Sequence, residues 1–151
     1  RVANAAAVRR IYKGPTCVVD FGTATIFDAI SAEGEYLGNA IAPGIGIASD
    51  ALFRRAAKLP RVDLTPPPNV IGKNTIHAMQ SGLIFGYVSL VEGMIVRIRR
   101  ELAALGMKNE VKFIATGGLA ELIAGQTDQI DIIAPWLTLE GLRIVWEINQ
   151  P

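Results

Sequence analysis

The run Cys17-Val18-Val19-Asp20-Phe21-Gly22-Thr23-Ala24-Thr25-Ile26-Phe27-Asp28 constrains this chain more than any other stretch. Three apolar residues deliver a carboxylate to a strand end, and a small-residue turn follows at once. A second branched and apolar run over residues 25–30 makes strand, tight turn and antiparallel strand the expected arrangement. The buried run has no local use for Asp20, whose charge is costly inside unless it is paired, hydrogen-bonded or bound to a cation. Gly22 lets a ligand approach the backbone. Thr23 and Thr25 add hydroxyls beside exposed N–H groups, a concavity that suits phosphate oxygens. Acidic residues also serve turns for purely local reasons, so both roles stay open for Asp20 on these residues alone.

Other elements follow from periodicity and punctuation. Residues 1–13, rich in alanine, predict a helix stopped by Gly14-Pro15. After a turn at residues 31–34, residues 35–41 predict a third antiparallel strand. Pro43-Gly44-Ile45-Gly46 breaks it, and Ile47, Leu52, Phe53 and Ala56 recur at helical spacing to about Lys58. The two glycines either present N–H groups to an anion at a helix start or serve as a connector. Pro60 and Pro66-Pro67-Pro68 predict an extended, irregular loop over residues 59–71, an ordered surface or a lid. Asn74 or Thr75 then caps a long helix whose apolar stripe runs from Ile76 to Leu105.

That helix also carries a small-residue row, Gly82, Gly86, Ser89 and Gly93. Each interior glycine costs about 1 kcal/mol against alanine, which predicts close backbone packing on a sheet or a partner subunit. His77 reads as a residue of the cap region. Lys73, Asn74 and Thr75 are either a plain cap or polar contacts for a small ligand. Residues 111–115 predict a buried strand running into Thr116-Gly117-Gly118 and a helix. A glycine pair there lets a nucleobase lie on the backbone and aims N–H groups at phosphates. Residues 130–134 predict a last strand, and Thr138 is expected to cap the final helix.

Composition narrows the function. The chain has 151 residues, half of them apolar, and a net charge of +1, which excludes disorder and gives no broad electrostatic reason to bind nucleic acid or an anionic membrane. Cys17 is the lone cysteine and His77 the lone histidine, so neither a disulfide nor a soft-metal cluster is expected, and a cytoplasmic location fits. Cys17 reads as an inert core thiol. No signal-peptide pattern is present, and the chain opens at Arg1. The most apolar window, residues 82–96, is shorter than the roughly 20 residues a membrane span needs and contains Glu92.

Three antiparallel strands, then helix, strand, helix, strand, helix resembles one lobe of the actin-like (ribonuclease H-like) phosphotransferase superfamily. The implied fold class is α/β, a mixed five-stranded sheet flanked by helices. Asp20-Phe21-Gly22-Thr23-Ala24-Thr25, Ala42-Pro43-Gly44 within residues 38–50, the run from Ala51 to Pro60, Ile71-Gly72-Lys73-Asn74-Thr75 and Ala115-Thr116-Gly117-Gly118 together resemble type III pantothenate kinase, nearly end to end. The resemblance implies transfer of the ATP γ-phosphate, with Mg2+, to the primary hydroxyl of pantothenate on the way to coenzyme A. It implies that Asp20 holds a monovalent cation, K+ or NH4+, and that Thr23 and Gly22 meet ATP phosphate. It further implies that Gly117 and Gly118 form the adenosine-side turn and that Thr75 contacts pantothenate. Arg1 matches the last residue of the family's Gly-x-Asp-Arg pantothenate motif, so the general-base aspartate would precede it. Ile26 departs from the family, which more often has a second threonine there.

The resemblance also implies a division of the chain: residues 1–13 as a helix at the inter-lobe junction, residues 14–151 as a C-terminal lobe, and an N-terminal lobe outside this sequence. Phosphoryl transfer needs both lobes, so this chain alone is expected to be nearly inert. A homodimer through this lobe is expected. Two other readings stand beside the kinase. One is a regulatory factor of the same family acting on transcription, which the near-neutral charge does not favour. The other is a sugar-kinase or chaperone-ATPase lobe, which the Gly72-Lys73-Asn74-Thr75 segment disfavours.

Overall fold

The protein is described by a computed structural model covering residues 1–107 and 111–150. Helix α1 (Val2–Ile11) ends where Gly14 takes a positive φ of 97° ahead of Pro15. Three strands follow, β1 (Thr16–Phe21), β2 (Ala24–Ile30) and β3 (Tyr36–Pro43), then helices α2 (Ile45–Arg55) and α3 (Thr75–Ala104). The chain closes with β4 (Lys112–Thr116), α4 (Ala120–Ala124), β5 (Ile132–Ile133) and α5 (Leu137–Ile148).

The strands form one mixed sheet in the order β3-β2-β1-β4-β5. The pairs β1–β2 and β2–β3 are antiparallel, whereas β1–β4 and β4–β5 are parallel. This is the α/β, actin-like layout that the element order implied.

Alternation along β1 sends its side chains to two separate cores. Cys17, Val19 and Phe21 join Phe27, Phe113 and the α3 residues Leu83, Ile84, Val88, Val91 and Ile95 on one face. Val18 joins Ile30, Ile114, the α1 residues Ala5, Ala7 and Val8, and the α5 residues Leu137 and Ile144 on the other. Asp20 shares the Val18 face. The α1–α5 contact is close enough that a Cβ on Gly141 would stand within van der Waals overlap of the Ala3 backbone.

Several expectations need correction. Thr138 does not cap α5: Trp136 occupies the N-cap without a side-chain bond, and the Thr138 hydroxyl donates to Asn4 Oδ1 at 2.8 Å, tying α5 to α1. Helix α2 starts at Ile45 and not Ile47, because buried Ile45 anchors its first turn and the Gly44 carbonyl already accepts from Ala48 at 3.1 Å. The glycine row of α3 has no close backbone neighbour within this chain: added Cβ atoms at Gly82 and Gly86 would meet nothing within 4 Å, and at Gly93 only the Arg97 side chain at 3.7 Å. At 30 residues, α3 is long and apolar enough to cross a membrane by length and composition. Its inward stripe nevertheless packs on the sheet.

Candidate functional site

Three turns meet at the end of the sheet where β1 finishes. The first is the β1–β2 hairpin, closed by the Gly22 N–H donating to the Ala24 carbonyl at 3.1 Å. The second is the β3–α2 junction, where the Gly44 N–H donates to the Thr23 carbonyl at 2.9 Å. The third is the β4–α4 turn, where Leu119 N–H reaches the Phe21 carbonyl at 3.4 Å.

Close approach explains why glycine stands at two of these places. A Cβ on Gly44 would be 2.4 Å from the carbonyl oxygens of both Gly22 and Thr23. Gly117, at φ 93°, would place a Cβ 2.7 Å from Asp20 Oδ1 and 2.6 Å from the Phe21 carbonyl. Both positions therefore exclude any side chain. The result is a shallow floor of backbone around one carboxylate, with Gly22, Thr23 and Gly118 exposed on its rim.

Asp20 pairs in register with Ile26 on β2 and Thr116 on β4. It is half-buried, and desolvation pushes its carboxyl above the ordinary aspartate range, helped by the Asp28 charge. A carboxylate that burial disfavours, next to a second carboxylate, is a place where a cation lowers the energy. The donor set suits a monovalent ion held by one carboxylate and nearby backbone oxygens. Among the described residues no group of three or more His, Cys, Asp or Glu could cage a divalent metal, and Mg2+ characteristically enters such sites on substrate phosphates.

Sequence reasoning missed a buried carboxylate beside this floor. Asp28 is 1% exposed and accepts the Tyr36 hydroxyl on Oδ1 at 2.8 Å. The available signal was its position, a charged residue in mid-strand facing opposite to Phe27. Tyr87 was also read only as part of an apolar stripe. Its hydroxyl donates to the Pro43 carbonyl and fastens α3 to the β3–α2 junction.

The structure brings Asp20, Gly22, Thr23, Gly117 and Gly118 together and leaves Arg1 exposed at the N-cap of α1, without a side-chain cap bond. It places Thr75 elsewhere. Thr75 is the first residue of α3, after the cap in which Asn74 Oδ1 accepts the His77 N–H at 2.8 Å. At 1.5 Å per residue it lies about 18 Å along the helix from Tyr87, the residue that touches the Pro43 junction. The first turns of α3 lean instead on the proline loop. Gln80 Nε2 donates to the Asp63 carbonyl at 3.1 Å and to Thr65 Oγ1 at 2.8 Å, and the Ser81 hydroxyl donates to the Val70 carbonyl. A cavity of about 250 Å³ lies between Pro68, Ile71, Lys73 and His77.

A family model for type III pantothenate kinase matches residues 1–97. The chain belongs to the type III pantothenate kinase family. It is 58% identical over 150 residues to the type III pantothenate kinase of Roseiflexus sp. (strain RS-1), a match that covers 99% of this chain and 57% of that protein. It is also 58% identical over 149 residues to the type III pantothenate kinase of Moorella thermoacetica, again covering 99% of this chain and 57% of the relative. The chain therefore spans a little over half the length of its type III pantothenate kinase relatives. In fold it is similar to a Campylobacter jejuni protein assigned to the Baf family of transcriptional activators, with a TM-score of 0.64 at 24% identity over 95% of this chain and 62% of that one.

Proposed function

We propose that this chain is the C-terminal lobe of an enzyme that transfers the γ-phosphate of ATP to the primary hydroxyl of pantothenate, forming 4'-phosphopantothenate for coenzyme A synthesis. The observation that carries this reading is the glycine-walled floor around Asp20, where three turns leave backbone and one carboxylate for a phosphate-bearing ligand and its cation. Family membership supplies the acceptor.

In this reading Gly22 and Thr23 bind ATP phosphate, and the Gly117-Gly118 turn carries the adenosine side. Asp20 holds K+ or NH4+, whose positive charge offsets that of the phosphates. Mg2+ arrives with the nucleotide. Arg1 and Thr75 hold pantothenate. The general base is an aspartate immediately ahead of Arg1, and an N-terminal lobe supplies the other phosphate loop. Residues 1–13 form the junction and residues 14–151 the lobe proper. Catalysis of phosphoryl transfer rests on positioning and charge stabilisation by both halves, so the 151-residue chain alone does not turn over.

The open Gly82, Gly86 and Ser89 face of α3 fits a second copy of the chain in a homodimer. The lone buried Cys17 suits a reducing cytoplasm.

The test is ADP release by the full-length protein with pantothenate, with sugars and with no acceptor. Release that depends on pantothenate and on K+ or NH4+ is expected, and release with sugars alone overturns the reading. The isolated chain should release none. Light scattering at micromolar concentration should give the mass of a dimer.

A further inference from the structure

Helix α5 is apolar on two opposite sides. Leu137, Gly141 and Ile144 face inward and are buried against the sheet and α1. Trp136, Leu139, Leu142 and Trp146 follow one another at helical spacing along the outer side, each between 54% and 67% exposed. The row holds both tryptophans of the chain. Single exposed apolar residues are ordinary, but a contiguous row of large ones marks a surface that something covers. Arg143 and Glu147 pair with each other beside it and give it the polar edge that interfaces have.

The position of α1 says what that cover is. A Cβ on Gly141 would overlap the Ala3 backbone, and the Thr138 hydroxyl donates to Asn4 Oδ1 at 2.8 Å, so the start of α1 crosses the middle of α5. Gly141 stands between Leu139 and Leu142 in sequence, and Ala3 is two residues, about 3 Å of helix, from Arg1. A segment joined to Arg1 therefore emerges beside the row. Val2, 77% exposed, extends the apolar surface there and lines a groove with Ile144 and Ile148. The relatives supply such a segment, because this chain covers only 57% of their length. Tethered at Arg1, it meets the row at a high effective concentration that a free partner would have to outcompete. A lipid surface fits less well, since it favours a basic polar face and α5 sets Glu140 and Glu147 against the single Arg143.

We propose that the outer row of α5, continued by Val2, is the seat of the N-terminal lobe of the same protein. This rests on the two-lobe reading above. Helix α5 is then the middle layer of a joint, with the C-terminal core on its Leu137 and Ile144 side and the N-terminal lobe on its Leu142 side. Trp136 and Trp146 are the anchors, large rigid side chains that carry much contact area for little lost rotamer freedom. The joint couples the two lobes through the helix pair on which the Gly141 crossing depends.

Hydroxyl-radical footprinting of the full-length protein, read by mass spectrometry at Trp136 and Trp146, tests this. Both should oxidise at least about fivefold more slowly in the folded protein than in the same protein in denaturant, as residues at the core of an interface do. Leu142→Glu in the full-length protein should return Trp146 to within about twofold of its denatured rate and split one calorimetric unfolding transition into two, with the mass by light scattering unchanged. Position 142 faces solvent in this lobe, so the added charge leaves the lobe folded, and the wild-type footprint needs no variant. Tryptophans that oxidise in the folded wild type at close to the denatured rate overturn the proposal. Protection lost on dilution, or a Leu142→Glu variant with half the wild-type mass, assigns the row to a second copy and overturns it as well. The footprint does not depend on turnover. An active enzyme with unprotected tryptophans loses the seat alone, whereas a protein without pantothenate-dependent ADP release loses the kinase reading and keeps the seat if both tryptophans are protected.

Discussion

Gly117 is pressed against Asp20 so closely that a Cβ on the glycine would stand 2.7 Å from the carboxylate Oδ1. This contact locks the β4–α4 turn onto the end of β1. Two penalties would fall together on any side chain at Gly117: overlap with the Phe21 carbonyl and a φ of 93°. Gly117→Ala should lower unfolding free energy by about 2–4 kcal/mol. Urea denaturation of the 151-residue chain followed by circular dichroism checks this, and a loss under about 0.5 kcal/mol, the level of an ordinary surface change, would contradict it.

Asp20 gives the pH dependence a definite sign. Its folded-state pKa is raised, chiefly by desolvation. The native state therefore binds more protons than the unfolded chain across the window between the ordinary aspartate value and the raised one, and stability falls as pH rises through that window. In buffer free of K+ and NH4+, Asp20→Asn should melt higher than wild type at neutral pH and show a flatter profile. Adding K+ should raise the wild-type melting temperature and leave the variant unmoved. Equal shifts in both would overturn the proposed cation role of Asp20.

Gly141 is the corresponding point in the second core. A Cβ there overlaps the Ala3 backbone, so Gly141→Ala must push α1 off α5. A destabilisation of about 3 kcal/mol is expected, whereas Gly46→Ala, in open space on α2, should stabilise by up to about 1 kcal/mol. Thermal melts of the two variants side by side decide this, since the prediction requires opposite signs.

Cys17 should be silent toward thiol reagents. Its side chain is fully buried, and burial together with the Asp28 charge pushes its pKa far up, so it stays a protonated thiol. Modification at pH 8 should run at least about a thousandfold slower in the folded chain than in denaturant, because it has to wait for opening of the sheet. Fast labelling of native protein would show that β1 is not held as described.

The two glycine classes show where sequence reasoning reached its limit. Gly82, Gly86 and Gly93 stood out because they repeat along a helix, yet none meets a neighbouring backbone in this chain. Gly141, a single glycine in α5, sits at a true helix crossing. Helical spacing says which residues share a face but not which face meets another element, and that is settled by contacts far apart in sequence. The same limit explains Thr138, whose local position suited a cap but whose hydroxyl found Asn4 across 134 residues. The Asp20 turn was legible because its parts are contiguous: apolar strand, carboxylate, glycine, threonine, second strand. Asp28 lay in that same run, and its partner was hidden because Tyr36 comes to it from the next strand.

Helix α3 joins the main sheet cluster from Leu83 onward, and its first eight residues, about 12 Å of helix, lean on the proline loop through Gln80 and Ser81. In mechanical language they are a cantilever. Its tip, Thr75, is aimed by Gln80 and Ser81 gripping residues 63–70 and not by the sheet that carries Asp20. Insertions or substitutions in that loop would swing the tip while leaving the glycine floor untouched. Under the proposed reading, such a change would alter the acceptor contact at Thr75 and leave the phosphate-side turns as they are.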